Sequence, residues 1–414
     1  MQHGADRIAF TASQSMQSNA RQFILGQAEP DGRFRFSPAG RAANLYATCF
    51  AVLGLDLLAA LPSLDADLRA TVVAFLQRYQ DPATGTFREA GLAPAPGATH
   101  DLTYVEHQQT DFALMALDAL GAEPLHELSF VQEWLRNAPG PWLDSLAWRD
   151  PWRESNRVMF VLNFLLREAD RATPLARTRV DQILSWLDAH QDPRNGLWNL
   201  GHPVSLVNQM AGAYHFLLFY TYVGRRPHHI ERIIDACLDI QDHDGLFTYA
   251  GGGGSCEDLD AIDLLCRCWL ETGHRTREVR RALGRAHRAL VGCQNADGGF
   301  CWARRDRLSL AKILHFARPS LLAVSVGEFR DNARDKWRNQ KAVLRNPASL
   351  TWAYSGLEPM RIPLSASDLW STWFRLLALA IIEDTMPDVT GTTPFAWNMR
   401  RKPGLGFFRS VSTP

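Results

Sequence analysis

The 414-residue sequence has no apolar run long enough to cross a bilayer, which takes about 18 uninterrupted apolar positions. Its longest candidate, LLALAIIEDTM, ends in charge. The opening residues, MQHGADRIAFTASQ, carry no extended apolar segment of the secretory type, so a cytoplasmic protein is expected. Cysteine is sparse: seven, an odd count, with no CxxC pair. A reduced protein fits this better than a disulfide scaffold. Net charge is also missing, because 44 Lys and Arg balance 44 Asp and Glu, and no long like-charge run occurs. Nucleic acid is therefore not an expected partner. Nothing in the sequence marks an oligomeric state.

What the sequence does contain is a repeat. Glutamine, a few polar residues, glycine, one residue and an aromatic recur as QAEPDGRF (27–34), QDPATGTF (80–87), QDPRNGLW (191–198), QDHDGLF (241–247) and QNADGGF (294–300). The glutamines are 53, 111, 50 and 53 residues apart. The long step is close to double the others, so a degenerate copy is expected near 136, where RNAPGPW stands. Amphipathic runs such as ATVVAFLQRYQ and RVDQILSWLDAHQ precede the copies, and more apolar runs such as NQMAGAYHFLLFY and EDLDAIDLLCRCWL follow them. Apolar positions at i, i+3, i+4 and i+7 make both helical, and the Asp-Gly, Asn-Gly and Thr-Gly pairs mark turns. The unit is helix, turn, helix, repeated about six times. Helices apolar nearly all round suit an inner ring, and amphipathic ones an outer ring. The expected fold is all-α: one α/α toroid, with the N-termini of the inner helices gathered around one mouth. The toroid is placed at 21–385, with a non-repeat insertion at about 303–350, an N-terminal extension at 1–20 and a C-terminal tail at 386–414.

On these residues the chain resembles the QW-repeat superfamily of squalene and other terpene cyclases and the protein prenyltransferase β-subunit. The resemblance covers about residues 20 to 385 and implies an α/α toroid with a central cavity. The repeated glutamines read as structural braces. In protein prenyltransferases the resemblance implies a zinc site built from Asp-x-Cys and a late histidine. Asp260 matches the aspartate, but Ile262 and Ser371 stand at the other two ligand positions, so no zinc is expected. In class II terpene cyclases it implies an Asp-x-Asp-Asp motif whose middle aspartate is the proton donor. Asp258-Leu259-Asp260 matches three positions, and Ala261 replaces the last aspartate.

The stretch GGGGSCEDLDAIDLL (251–265) carries this motif. Ser255 and Asp258 read as a capping box, which would make Asp258 worth about 1 kcal/mol. Asp260 and Asp263 lie beyond the first turn, on one face of an otherwise apolar run. A buried carboxylate is costly unless paired or protonated. Asp260, with Asp263 and Asp258, forms the candidate catalytic set, against the alternative of ion pairs to arginines on neighbouring helices. The glycines read either as a flexible lid or as a surface loop. Substrate-binding candidates come from the starts of the inner helices and from aromatics: His107, Asp111, Asn156, Asn208, His202, Trp198, Trp352 and Trp370, with Tyr46 and Trp373 behind them. Aromatic faces stabilise cations.

The leading function is acid-initiated cyclisation or isomerisation of an isoprenoid, a small hydrophobic substrate, without a cofactor. Magnesium would enter only with a diphosphate, on Glu257, Asp260 and Asp263. A carbohydrate-active toroid using Asp260 with His107 or His202, and a non-catalytic binding platform, are the alternatives. Within the insertion, EFRDNARDKWRNQKAVLRN is polar, basic and helical in pattern, which suits a lid or a docking surface. The basic, aromatic tail WNMRRKPGLGFFRS suits either a membrane surface or a cover over one barrel mouth.

Overall fold

The computed structural model describes residues 16–40, 43–94, 98–171, 173–249, 251–305, 314, 325–343, 349–391 and 395–409. Most of the expected N-terminal extension, much of the insertion and the last five residues of the tail lie outside them. The helices are α1 (16–25), α2 (Leu45–Leu57), α3 (Ala66–Gln77), α4 (Leu102–Leu120), α5 (Val131–Arg136), α6 (Gly140–Ser145), α7 (Pro151–Asp170) and α8 (Pro174–His190). They continue with α9 (Leu206–Val223), α10 (Ile230–Ile240), α11 (Ser255–Thr272), α12 (Thr276–Val291), α13 (Val326–Val343), α14 (Leu369–Thr385) and α15 (Pro387–Thr390). Sheet is confined, among the described residues, to three two-stranded antiparallel pieces.

Helices α2, α4, α7, α9, α11 and α14 pack in that order, and α14 packs back on α2. The ring is closed, so the arrangement is a toroid rather than an open solenoid. Every residue of α2 except Asp56 is buried, as its all-round apolarity requires. Outside them lie α1, α3, α5 with α6, α8, α10 and α12. The outer helix of the degenerate repeat is split into α5 and α6, and Pro139 and Pro141 stand at the break.

The repeated glutamines hold the outer ring. Gln80 Nε2 donates to the carbonyls of Gly85 (3.0 Å) and His126 (2.8 Å). Gln191 binds Gly196 and receives the His228 N–H, and Gln241 binds Gly245 and Ala282. Gln294 closes the circle: its Nε2 donates to Gly298 (2.8 Å) and to Met16 at the start of α1 (2.9 Å). Gln27 departs from the pattern and donates to the Phe23 carbonyl of the helix before it.

The inner N-termini gather at one end, capped by Asn44, Asp101, Asp150, Ser205 and Asp368. The tail closes the other end. Asn398 N–H binds Leu57 O, Arg400 and Lys402 converge on Asp118 at 3.1 and 2.9 Å, and Arg267 Nη2 binds Phe407 O at 2.9 Å. Phe407 and Phe408 are buried by this packing, so they offer no exposed aromatic surface for a membrane. No helix among the described residues is long and apolar enough to span a bilayer.

Gln294→Ala removes the donor that joins the last turn to α1 and leaves two carbonyls without it. A loss of about 1–3 kcal/mol is expected in urea unfolding; an unchanged midpoint would show that packing alone closes the ring.

Candidate functional site

Helix α11 is capped by backbone rather than by a hydroxyl. Gly254 is the N-cap and makes no side-chain cap bond, and Ser255 is already the first helical residue. The capping-box reading therefore fails for Ser255. Asp258 does reach back to the Gly254 N–H (3.1 Å), but most of its bonding lies elsewhere. Its Oδ1 accepts the Phe247 N–H at 2.8 Å, and its Oδ2 pairs with Arg375 Nη1 at 3.0 Å. Arg375 is fully buried and also donates to Cys301 O (2.9 Å) and Trp302 O (2.5 Å). Asp258 thus ties α11 to α14 and to two turns, and does not line the barrel cavity.

The glycine run is neither a lid nor an exposed loop. Gly251 to Gly254 are buried, and Gly251, Gly252 and Gly253 hold φ near +70°. A Cβ at Gly252 would strike the Arg304 carbonyl, and one at Gly253 the Asp258 carboxylate. Arg305 Nη1 clasps the carbonyls of Gly251 and Gly253. Only glycine allows this backbone to fold in so tightly.

Asp263 pairs with Arg267 through two bonds of 2.7 and 2.8 Å, both groups being buried. The partner lies four residues on in the same helix, not on a neighbour. Between these two ion pairs sits Asp260. It is 1% exposed, its Oδ2 has no hydrogen-bond partner among the described residues, and it lines a cavity of about 430 Å³. Burial first, then the charges of Glu257, Asp263 and Asp258, hold its carboxyl well above the usual carboxylate range.

The cavity wall is largely aromatic: Tyr104, Trp152, Trp302, Trp352, Tyr354, Trp370 and Phe374. Trp370 stacks on Phe374 at 3.7 Å and meets Tyr354 at 4.8 Å; Trp302 lies 4.2 Å from Trp352. The hairpin formed by Thr351–Ala353 with Arg361–Pro363, and the turn after its first strand, bring Trp352 and Tyr354 over the mouth. Leu405 of the tail also reaches the lining. Polar groups stand on the α4 and α7 side: His100, Gln108, Asp150, Arg153 and Asn156. Burial pushes His100 down to about 4 and His215, bonded to Ser155 Oγ at 2.8 Å, to about 3. Both are neutral near pH 7 and cannot serve there as proton donors of the imidazolium kind.

Of the sequence candidates, Asp260, Asn156, Trp352 and Trp370 meet in the cavity. Asn208 stands behind the wall, its Nδ2 on Asp150 Oδ1 at 3.3 Å. Tyr46 is likewise one step back, donating to Gln108 Oε1 at 2.8 Å. His107 does not begin α4; it sits in the second turn, packed on Phe130 and Phe164. Asp111 is deeper, bonded to Asn163 at 2.9 Å and pushed by burial to about 7. Trp198 is fully buried and donates to Leu187 O, and His202 lies in the turn before α9. None of these four lines the cavity. Reasoning from sequence missed His100, His215, Cys256 and Tyr354, which carry no motif. Cys256, one turn before Asp260 on α11, was the most accessible to spacing alone.

Among the described residues no three His, Cys, Asp or Glu side chains converge as metal ligands. The oxygen set expected for magnesium is divided, because Asp263 is engaged by Arg267 while Asp260 faces the cavity.

The model of the prenyltransferase α/α-toroid domain matches residues 3–137 and 153–307, more than half of the sequence, and the chain belongs to that family. Among solved structures it is similar to the apo type II terpene cyclase MstE from Scytonema, at 14% identity over 90% of this chain and 99% of that one, with a TM-score of 0.48. A tyrosine-to-phenylalanine variant of MstE gives 14%, 91%, 97% and 0.49. A protein from Actinoplanes is 17% identical over 89% and 98%, with a TM-score of 0.46. No curated protein matches the sequence.

Removing Arg375 as Arg375→Met strands the Asp258 carboxylate in the core. A loss of about 3–5 kcal/mol is expected in chemical denaturation, as for other broken buried pairs. Asp258→Asn should cost similarly, well beyond the roughly 1 kcal/mol of a cap; a loss of only that size would restore the capping account.

Proposed function

We propose that the chain is an enzyme that starts the cyclisation or isomerisation of an isoprenoid by proton transfer from Asp260. One observation carries this reading: an unpaired, buried carboxyl faces an aromatic cavity while its two neighbouring aspartates are bound by arginines. Held protonated, Asp260 donates its proton to an alkene or epoxide of the substrate. A carbon–hydrogen or oxygen–hydrogen bond forms, and a carbocation develops within the ring of Trp370, Phe374, Trp352 and Tyr354. Their π faces stabilise it, and the aromatic wall keeps water away. Loss of a proton to a base ends the sequence, so no redox partner and no cofactor is needed. Membership of the prenyltransferase α/α-toroid family supports an isoprenoid substrate. A carbohydrate reaction would need a second acid–base group beside Asp260. His107 and His202 lie outside the lining, and Asp150 caps α7 and binds Asn208.

The test is incubation with linear polyprenyl alkenes and their terminal epoxides in D₂O, followed by mass spectrometry. From an alkene, a product isomeric with its substrate and carrying one carbon-bound solvent deuterium is expected; from an epoxide the deuterium sits on an exchangeable hydroxyl, so the isomeric product itself is the readout. Asp260→Asn should lower turnover by roughly 10²–10⁴-fold, the usual weight of a general acid. Full activity in Asp260→Asn, or unlabelled product from an alkene, would remove Asp260 from the role.

The same carboxyl sets a pH dependence of stability. Its folded value lies above the unfolded one, so its contribution is fully present below about pH 4 and is lost as pH rises toward the folded value. Wild type and Asp260→Asn should melt close together near that lower pH. The variant should become the more stable as pH increases, with a constant gap above the folded value. Parallel melting curves from about pH 4 to 8 would show that Asp260 is not held protonated.

A further inference from the structure

Helix α13, which lies between the turn at 294–300 and α14, is turned inside out. Its protein-facing side is polar. Asn332 Oδ1 accepts the N–H of Leu206 at 2.8 Å and the Tyr249 hydroxyl at 3.2 Å. Glu328 accepts from Asn199 Nδ2 at 3.3 Å and from the Ser325 N–H at 3.1 Å. These bonds fix the helix to the start of α9, the end of the barrel that holds the cavity mouth.

The outward side is apolar and basic. Val326 is 87% exposed, Phe329 52% and Trp337 59%, and their spacing of 3 and 8 residues puts them on one stripe. Among the described residues, Phe329 and Trp337 are the only exposed Phe or Trp side chains. Arg330, Arg334 and Arg338 are exposed beside the stripe, Arg334 also pairing with the half-buried Asp331 at 3.1 Å, while Glu328 is buried and Asp335 half-buried. A polar inner face and an apolar outer face reverse the usual order for a surface helix. Solvating the polar residues and packing the aromatics would suit an isolated globule better, so the outer face has a partner chemistry of its own.

We propose that this face of α13 docks the protein on a bilayer surface bearing anionic lipid. Aromatics at the headgroup level with arginines alongside are the composition of helices that lie in the interface. A bilayer fits both features at once: Phe329 and Trp337 enter the acyl boundary, and the three arginines meet lipid phosphates. Placement at the mouth end then lets an apolar substrate pass from lipid to cavity, a consequence that rests on the isoprenoid reading above. Docking itself needs no turnover.

The test is co-sedimentation of the full chain with phosphatidylcholine vesicles, with and without phosphatidylglycerol. Binding to the mixed vesicles is expected, weakening with salt, and little to phosphatidylcholine alone. Phe329→Asp with Trp337→Asp should abolish it. Arg330→Gln with Arg334→Gln should lower partitioning by roughly 30-fold, from two lost lipid contacts. Circular dichroism checks that the variants stay folded, and the salt and lipid dependence of the wild type stands independently of them. Equal sedimentation with and without phosphatidylglycerol, or failure to sediment, overturns the proposal. So does self-association that the same variants abolish in the absence of vesicle binding, which would give the face to a second copy. None of these outcomes touches the deuterium test of Asp260, and failure of that test leaves vesicle binding to be judged alone.

Discussion

The buried pair of Asp258 and Arg375 is the constraint on which the rest of the site hangs. Arg375 carries its charge into the space between α11 and α14 and meets one carboxylate there, at 3.0 Å. Two carbonyls complete its shell. Such a pair adds little net stability over an apolar equivalent, but its loss is costly, so it fixes geometry more than it adds energy. The geometry it fixes is the start of α11. With Asp258 turned outward to Arg375 and to the Phe247 N–H, Asp260 two residues later points inward. The glycine run can then fold beneath Arg305 without crowding either carboxylate.

The two ends of the toroid differ for reasons that begin with helix chemistry. At the N-terminal end the caps are side chains of short polar residues, which leaves room for a cavity mouth. At the C-terminal end the dipoles are negative and call for cations. Arg400, Lys402 and Arg167 supply them around Asp118, and the tail that brings two of these closes that end. Among the described residues, the tail thus covers the end opposite the inner N-termini. The dipole favours an anion in the first turn of α11, yet burial outweighs it even there and pushes Glu257 up to about 7. Asp260 stands past that turn, where the effect has faded and desolvation governs.

Much of this was legible in the sequence because repeats expose their own logic. The turn motif located the rings, the missing copy and the braces. A further regularity lies in the inner helices. The N–H of the aromatic residue of the turn is received by Thr48 in the first repeat (Phe34), Thr110 in the second (Phe87) and Thr372 in the last (Phe300). In the fifth it is received by Asp258. Aligning the inner helices on that slot marks Asp258 as a structural variant of a threonine latch, and Asp260 as the residue with no such precedent. Arg375 was not legible: it sits inside an apolar helix, and nothing local signals a partner 117 residues away. Tyr354 and Trp352 were equally hidden as to role, because their place over the mouth comes from a hairpin outside the repeat. His107 and Asp111 were misplaced because helix starts were drawn from apolar runs, whereas α4 begins at Leu102 under the Asp101 cap; Trp198, offered as a cavity aromatic, is instead the buried aromatic of its turn, bonded to Leu187 O.

The three aspartates of α11 then read as one device. Asp258 and Asp263 are each neutralised by an arginine, so their pairs are nearly silent at a distance. Asp260, between them, feels desolvation first and then the charges of Glu257, Asp263 and Asp258, which hold its carboxyl well above the usual carboxylate range. A carboxyl raised too far would be a poor acid toward an alkene. Protonation in the resting state and stabilisation of the anion afterwards are opposing demands. For the proton transfer proposed above, the arginines engage Asp258 and Asp263 and leave Asp260 without a cation in contact. A direct arginine partner would pull the Asp260 value down, as Arg375 and Arg267 do for Asp258 and Asp263 against the larger effect of their burial.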